Sequence, residues 1–197
     1  MVIPTLLEEK LILASKSPRR AELLTAAGWQ FEAVAANIDE TRHDGEEAVA
    51  YVRRLAQTKA EKVAQQFAND LVLGADTTVV VGNEILEQPG DAATAEWMLN
   101  LLSGKWHQVL TGVALVRVSD ARLIVAHEVT QVRFAELSAA EIDWYVSTGE
   151  PLDKAGAYGI QGPAAPFIEE IQGDYFNIVG LPMRLVYKLI RENFTRV

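Results

Sequence analysis

The chain of 197 residues contains no cysteine, and this absence excludes disulfide bonds and thiolate metal sites. Histidine is scarce too: the three histidines stand far apart, so the histidine pairs of zinc hydrolases are missing. No G-x-S-x-G nucleophile elbow supports a serine hydrolase. Any catalytic or binding site in this chain must therefore use carboxylates, hydroxyl groups and cationic side chains.

Long hydrophobic runs are also missing. Apolar runs such as those at residues 11–14, 79–81 and 113–116 are far shorter than the roughly 18 residues that span a bilayer. The N-terminal segment has two glutamates and no basic stretch before an apolar one, which is atypical of a signal peptide. We expect a cytoplasmic protein with no membrane partner.

Positive charge is in short supply, with 18 Lys and Arg residues against 27 Asp and Glu residues and a formal net charge of −9. An acidic surface binds phosphate backbones poorly, so we expect no nucleic-acid partner. A small phosphorylated substrate is compatible with this charge, provided that it meets local positive charge and a bridging cation.

Strand and helix patterns alternate along the chain. The pattern predicts strands at residues 11–15, 31–34, 71–81, 109–118, 123–134, 167–171 and 175–178. It predicts helices at 17–27, 46–67, 91–102, 138–148 and 181–194, with a loop at 149–165. The fold class is α/β or α+β with a mixed sheet, as one domain or two lobes that share one sheet. The tryptophans at positions 29, 97, 106 and 144 are expected in the core.

A basic turn, SKSPRR at residues 15–20, follows the first predicted strand and begins a helix. A helix N-terminus offers free N–H groups and a positive dipole end to an anion. The hydroxyls of Ser15 and Ser17 and the guanidinium groups of Arg19 and Arg20 add donors suited to phosphate oxygens. The residues alone leave open a second interpretation, a surface helix start with solvated basic residues.

Carboxylates and a late glycine loop complete the candidate site. Glu40 follows Asp39 in a predicted loop, and Asp76 lies between apolar stretches, where a charge is costly unless it is paired or bound to metal. In residues 152–162, Lys154 supplies charge and Gln161 an amide able to read a base edge. Solvated carboxylates and a structural glycine loop are the alternatives. Together these features indicate phosphohydrolase chemistry.

These segments resemble the signature motifs of the Maf family. LASKSPRR (13–20), IDE (38–40) and RLAQTKA (54–60) are similar to its S-x-S-P-R-R signature, its acidic motif and its R-L-A-x-x-K-A helix. GADT (74–77), DKAG (153–156) with GIQG (159–162), and VGLP (179–182) follow in the family's order. Six ordered motifs between about residues 11 and 189 are far more specific than any one of them.

The resemblance implies one Maf-like domain over residues 1–197, in the fold class shared with inosine triphosphate pyrophosphatases. It implies two lobes around an elongated mixed sheet with flanking helices, and an active site in the cleft between the lobes. It implies a nucleoside triphosphate pyrophosphatase, a hydrolase of acid anhydrides that uses Mg²⁺ or Mn²⁺. A housekeeping role against non-standard nucleotides, an effect on cell division and a homodimer are also compatible with it.

The same resemblance implies roles for particular residues. Asp76, Glu40 and Lys59 are the expected catalytic residues, with Asp76 as base, Lys59 on phosphate, and Glu40 and Asp76 as metal ligands. The expected substrate-binding residues are Ser15, Ser17, Arg19, Arg20, Thr77, Lys154 and Gln161.

Three positions separate subgroups of the family. Arg19, Thr77 and Gln161 resemble the subgroup acting on dTTP and UTP, whereas the subgroup acting on 7-methyl-GTP has tryptophan, glutamine and glutamate there. The sequence therefore predicts hydrolysis of dTTP and UTP to the monophosphate and pyrophosphate.

One residue departs from the family pattern. Gln88 stands where a lysine usually precedes the proline, and loss of one charge-assisted contact costs about 1.5–3 kcal/mol. This departure keeps open a nucleotide-binding regulator with weak turnover. A third interpretation, a phosphatase of sugar phosphates, would release orthophosphate instead of pyrophosphate.

Overall fold

The structure, a computed structural model, describes residues 10–194. Its strands are β1 (Leu11–Ala14), β2 (Phe31–Ala33), β3 (Leu71–Val81), β4 (Glu84–Leu86), β5 (Trp106–Arg117), β6 (Arg122–Phe134) and β7 (Ile168–Gln172). Its α-helices are α1 (Pro18–Ala26), α2 (Ala48–Ala64), α3 (Ala92–Leu102), α4 (Ala139–Ser147), α5 (Tyr175–Val179) and α6 (Met183–Asn193). Short 3₁₀ turns at Glu150–Asp153, Ala155–Ala157 and Ala165–Phe167 occupy much of the predicted loop. Across residues 10–194, no helix combines the length and apolarity needed to cross a membrane.

The strands form one mixed sheet in the order β2-β1-β3-β5-β6-β7, with β4 paired to β3. Strand β1 runs parallel to both β2 and β3, whereas β4 and β7 are antiparallel to β3 and β6. The predicted α/β class with a mixed sheet and flanking helices is confirmed.

The chain forms two compact units. Among the described residues, the first unit contains the chain up to Asp76, Thr111–Glu128 and the chain from Gly180 onward. The second contains Thr77–Leu110 and Val129–Val179. One buried cluster of the first unit is rich in alanine and valine, and a buried cluster of the second contains the aromatic residues Phe134, Tyr145, Tyr158 and Phe167. Each unit therefore has its own apolar core.

Helix α2 lies directly against the sheet of the first unit because two glycines leave room for it. A Cβ on Gly74 would lie 2.2 Å from the carbonyl oxygen of Ala56, and one on Gly112 would lie 2.2 Å from that of Val52. Either distance is far below van der Waals contact, so only a hydrogen fits at these two positions. This close packing fixes the position of Lys59, which α2 carries.

Helix starts follow the signals in the sequence. Ser17 is the N-cap of α1 with Pro18 at the first helical position, although the Ser17 side chain makes no capping bond. The Asp91 side chain accepts a hydrogen bond from the Thr94 amide at the start of α3. Ser138 begins α4 with the predicted capping box, formed with Glu141. These starts are therefore confirmed to within a residue.

Two expectations were wrong. Residues 175–178, predicted as a strand, lie in α5. The tryptophans at 97, 106 and 144 are 50%, 38% and 52% exposed and are not core residues. The Trp144 indole forms a T-shaped pair with the Phe167 ring, which is typical of an amphipathic ring at the boundary of a core.

Candidate active site

The basic turn between β1 and α1 is organised by Ser15. Its hydroxyl oxygen accepts hydrogen bonds from the Ser17 amide at 3.1 Å and from Nη1 of Arg20 at 3.0 Å. Arg20 also donates from Nε to the carbonyl oxygen of Gly180 at 2.8 Å. Arg20 therefore connects the turn to the segment that precedes α6, although the two segments are 160 positions apart in the sequence.

The two arginines of this turn differ in burial. Arg20 is buried, and burial lowers the pKa of its guanidinium, an effect that the negative charge of Asp76 opposes. Arg19 is half-exposed at the first turn of α1. Arg20 thus stabilises the turn through buried hydrogen bonds, and Arg19 is the more accessible of the two to a ligand.

Lys59 joins the two carboxylates that the sequence singled out. Its ammonium nitrogen lies 2.7 Å from Oδ1 of Asp76 and 2.8 Å from Oε2 of Glu40. Lys59 and Asp76 are 8% and 7% exposed, whereas the Glu40 side chain is 56% exposed. One cation therefore bridges a buried carboxylate on β3 and an accessible one on the loop after β2.

Asp76 lies in a strongly perturbed environment. Burial raises the pKa of its carboxyl, the cations Lys59 and Arg20 oppose that rise, and the nearby charge of Glu40 adds to it. A buried carboxylate in a cluster of charges is the arrangement expected of a functional group. The prediction that Asp76 is embedded in an apolar strand is confirmed, since its neighbours in β3 are almost all buried.

The other predicted residues belong to the second unit. Thr77 follows Asp76 in β3 and is half-buried, and Gln161 is exposed on the glycine loop. Lys154 donates to Oδ1 of Asp153 at 2.7 Å and to the carbonyl oxygen of Glu150 at 2.8 Å. Gln88, exposed beyond β4, is in this unit as well.

Glu150 shapes the glycine loop, a role that no motif in the sequence indicates. A Cβ on Gly162 would lie 2.2 Å from Oε1 of Glu150, and one on Gly159 would lie 2.9 Å from the same oxygen. The Gly159 amide also donates to the hydroxyl oxygen of Tyr145 at 3.2 Å. A side chain at either glycine would therefore displace the end of the flexible Glu150 side chain, which now lies against the loop.

Glu40 and Asp76 are the two carboxylates predicted to hold a divalent metal. Among residues 10–194, no group of three or more His, Cys, Asp or Glu side chains is arranged to hold a metal ion. Mg²⁺ commonly uses only one or two carboxylates and takes its remaining ligands from water and substrate phosphates. Two carboxylates that already share one ammonium fit such a site.

Comparison with known proteins identifies the family. The sequence profile of Maf-like proteins matches residues 10–193. The chain belongs to the Maf family. Members of this family generally depend on a metal ion.

Relatives within the Maf family carry a more specific name. A dTTP/UTP pyrophosphatase of Symbiobacterium thermophilum is 53% identical over 93% of this chain and 94% of its own. Proteins of the same name from Bacillus cytotoxicus and Salmonella typhimurium are 50% and 51% identical, over 93% and 91% of this chain and 94% and 91% of their own.

A solved structure supports the fold. The Ham1 protein of Staphylococcus aureus aligns with a TM-score of 0.53 at 14% identity, over 93% of this chain and 99% of its own. At that identity the likeness concerns the fold alone, and it agrees with the mixed sheet and flanking helices predicted for a Maf-like protein.

Proposed function

We propose that this Maf protein hydrolyses dTTP and UTP between the α and β phosphates, giving the monophosphate and pyrophosphate. Relatives about half identical over more than nine-tenths of the chain carry this name. The observation that carries the proposal is the Lys59 bridge between Glu40 and Asp76, because phosphoryl chemistry needs acidic metal ligands beside a cation. The lack of cysteine supports a reducing, cytoplasmic setting.

Glu40 and Asp76 would hold the divalent cation, Mg²⁺ or Mn²⁺. When bound, that cation supplies charge neutralisation at the phosphate oxygens. Since the Lys59 ammonium contacts both carboxylates, Lys59 would have to give up or share these contacts when the cation is held there. A site with only two carboxylates would suit a cation that takes its other ligands from water and the triphosphate.

The basic turn would bind the triphosphate. Arg19 and the N-terminal amides of α1 supply donors to phosphate oxygens, while Arg20 holds the Ser15 hydroxyl in place. Lys59, once moved from the carboxylates, offers its ammonium to the phosphate. Each of these groups stabilises negative charge, and such stabilisation is usually the largest single contribution to catalysis of this kind.

Asp76 would accept the proton of the attacking water. Burial raises the pKa of this carboxyl, which makes it a stronger base than an exposed aspartate. The water oxygen then bonds to the α phosphorus, pyrophosphate leaves, and the proton ends on Asp76. Replacement of Asp76 by asparagine retains the shape and removes the base, for which a loss of roughly 10²–10⁴ in rate is expected.

Base choice would depend on Gln161. Its amide carries both a donor and an acceptor, so it can pair with the adjacent carbonyl and N–H of a uracil or thymine edge. Gln161→Glu should lower the ratio of kcat/KM for dTTP over GTP, because an ionised glutamate only accepts hydrogen bonds. An unchanged ratio would leave the loop with a structural role only.

The decisive test of the reaction is a panel of nucleotides with Mg²⁺ or Mn²⁺, with pyrophosphate resolved from orthophosphate. We expect dTTP and UTP to give monophosphate and pyrophosphate, and Asp76→Asn to abolish nearly all turnover. Nucleoside diphosphate with orthophosphate as main products would contradict the proposal. Nucleotide binding without any product would favour the regulator instead.

A further inference from the structure

Glu40 lies on a loop with no regular secondary structure, which we call the acidic loop and define as residues 39–47. More than half of its side chain is exposed, and its carboxylate contacts the Lys59 ammonium. A metal ligand on a loose loop must be ordered when metal binds, and ordering costs about 1–2 kcal/mol for each residue fixed. Groups that order the loop beforehand would remove that cost.

The first such group is Tyr51, in the first half of α2. Its hydroxyl donates a hydrogen bond of 2.9 Å to the backbone carbonyl oxygen of Glu40 itself. The Tyr51 ring is buried, so its hydroxyl has little freedom to move. This bond fixes the backbone of Glu40 without using its carboxylate.

The second group is Arg54, one helical turn further along α2. Its Nη2 donates to the carbonyl oxygen of Thr41 at 3.1 Å. Its Nε and Nη2 also bind the two carboxylate oxygens of Glu46, at 2.6 and 2.7 Å. The guanidinium carbon lies 5.6 Å from the centre of the Tyr51 ring, so the two side chains support each other. Arg54 thus holds the acidic loop both directly after Glu40 and near its far end.

Hydrogen bonds within the acidic loop also stabilise its conformation. The Asp39 carboxylate accepts hydrogen bonds from the amide and the hydroxyl of Thr41, at 2.9 and 2.7 Å. The Glu46 carboxylate accepts one from the His43 amide at 3.1 Å. Both carboxylates are therefore engaged inside the loop, whereas the Glu40 carboxylate is directed out of it to Lys59.

We propose that Tyr51 and Arg54 are positioning residues that hold Glu40 opposite Asp76 so that both carboxylates reach one divalent cation. The proposal rests on the proposed function, since it needs Glu40 as a metal ligand. In this role neither side chain is itself a metal ligand. Partners of this kind that orient metal ligands typically change metal affinity by roughly ten- to a hundredfold when they are removed.

A structural role in α2 alone predicts a different result. If the contacts served only stability, Tyr51→Phe and Arg54→Gln would lower the melting temperature and leave metal affinity unchanged. A positioning role predicts weaker metal binding together with a kcat that recovers at saturating metal. The readout must therefore be metal binding itself, measured apart from turnover.

The test is a Mn²⁺ titration followed by electron paramagnetic resonance, with the α,β-methylene analogue of UTP bound to prevent hydrolysis. We expect the Mn²⁺ dissociation constant to rise roughly ten- to a hundredfold in Tyr51→Phe and in Arg54→Gln. Arg53→Gln is the matched control: it removes the same charge from the neighbouring position, which is exposed on α2, and should bind Mn²⁺ as the parent protein does.

Glu40→Gln distinguishes failure of the positioning role from failure of the proposed metal site. If Glu40→Gln weakens Mn²⁺ binding while Tyr51→Phe and Arg54→Gln do not, the positioning role is overturned and the metal site stands. If Glu40→Gln leaves Mn²⁺ binding unchanged, the proposed metal site fails and the positioning role fails with it. Should Arg54→Gln not fold, Tyr51→Phe, which removes a single oxygen, decides the question.

Discussion

Replacing Lys59 with methionine would remove the cation between Asp76 and Glu40 and retain most of the apolar stem. Asp76 and Lys59 are both buried and in contact at 2.7 Å, so the methionine variant leaves a buried carboxylate without its nearest partner. Loss of one partner of a buried pair costs about 3–5 kcal/mol of unfolding free energy. Glu40 adds little to this figure, because its side chain is mostly exposed.

The loss should depend on pH in a defined direction. Burial already raises the pKa of Asp76 and Lys59 opposes that rise, so removing Lys59 raises the pKa further. A carboxyl whose pKa is higher in the folded than in the unfolded chain binds more protons when folded, and stability then falls as pH rises between the two values. The deficit of Lys59→Met against the parent should therefore be larger at high pH than at low pH.

Urea unfolding in the presence of a chelator, at about pH 5 and about pH 8, measures this deficit. Lys62→Met is the control, since Lys62 is exposed on the same helix and should change stability by less than about 0.5 kcal/mol. If Lys59→Met matched Lys62→Met, or lost the same free energy at both pH values, the reasoning about the buried pair would be refuted.

Two further predictions concern stability. Gly74→Ala should cost about 1–3 kcal/mol, because its Cβ would lie 2.2 Å from the Ala56 carbonyl oxygen. Gly90→Ala, which meets open space, is its control in the same urea assay, and equal effects would contradict the close packing. His107 bonds to the Tyr158 hydroxyl at 2.7 Å, and burial lowers the pKa of His107 to about 4. Unfolding free energy should fall by up to about 3 kcal/mol as pH drops from about 6.5 toward 4. A pH profile that is equally steep in His107→Gln would contradict this assignment.

Part of the site follows from local sequence rules. Helical spacing places Lys59 on the same side of α2 as the buried Ala56 and Val63, so the sequence alone reveals a charged group within an apolar stripe. Asp76 is evident in the same way, as a charge inside an apolar strand. A buried cation on the helix and a buried anion on the strand beneath it are expected to pair.

Other features depend on contacts that no local rule supplies. The bond from Arg20 to the Gly180 carbonyl joins residues 160 positions apart, whereas both the basic turn and the family motif assigned Arg20 to phosphate. Its burial instead indicates that it orders the turn, and a direct phosphate contact stays a prediction. Lys154, likewise predicted to bind substrate, has carboxylate neighbours within its own unit.

The segment predicted as a strand shows why propensity fails over short runs. Aromatic and β-branched residues around Asn177 favour a strand, yet the residues form a single short helix. The Asp174 carboxylate accepts a hydrogen bond from the Phe176 amide at 2.8 Å, which is a helix-start signal present in the sequence. The Asn177 side chain, fully buried, donates to the Val109 carbonyl oxygen at 2.9 Å, a tertiary contact that local propensity does not include.

The glycines beneath α2 also limit how this chain can vary. The atoms nearest to a Cβ on Gly74 or Gly112 include carbonyl oxygens of the helix, which every amino acid possesses. A smaller side chain elsewhere on α2 therefore cannot make room for a larger residue at either position. A second-site suppressor would have to displace the helix backbone, and with it Lys59, Tyr51 and Arg54. Substitutions at these two glycines should thus be nearly irreparable by single compensating changes, so lineages that lose either glycine have few ways to regain a working site.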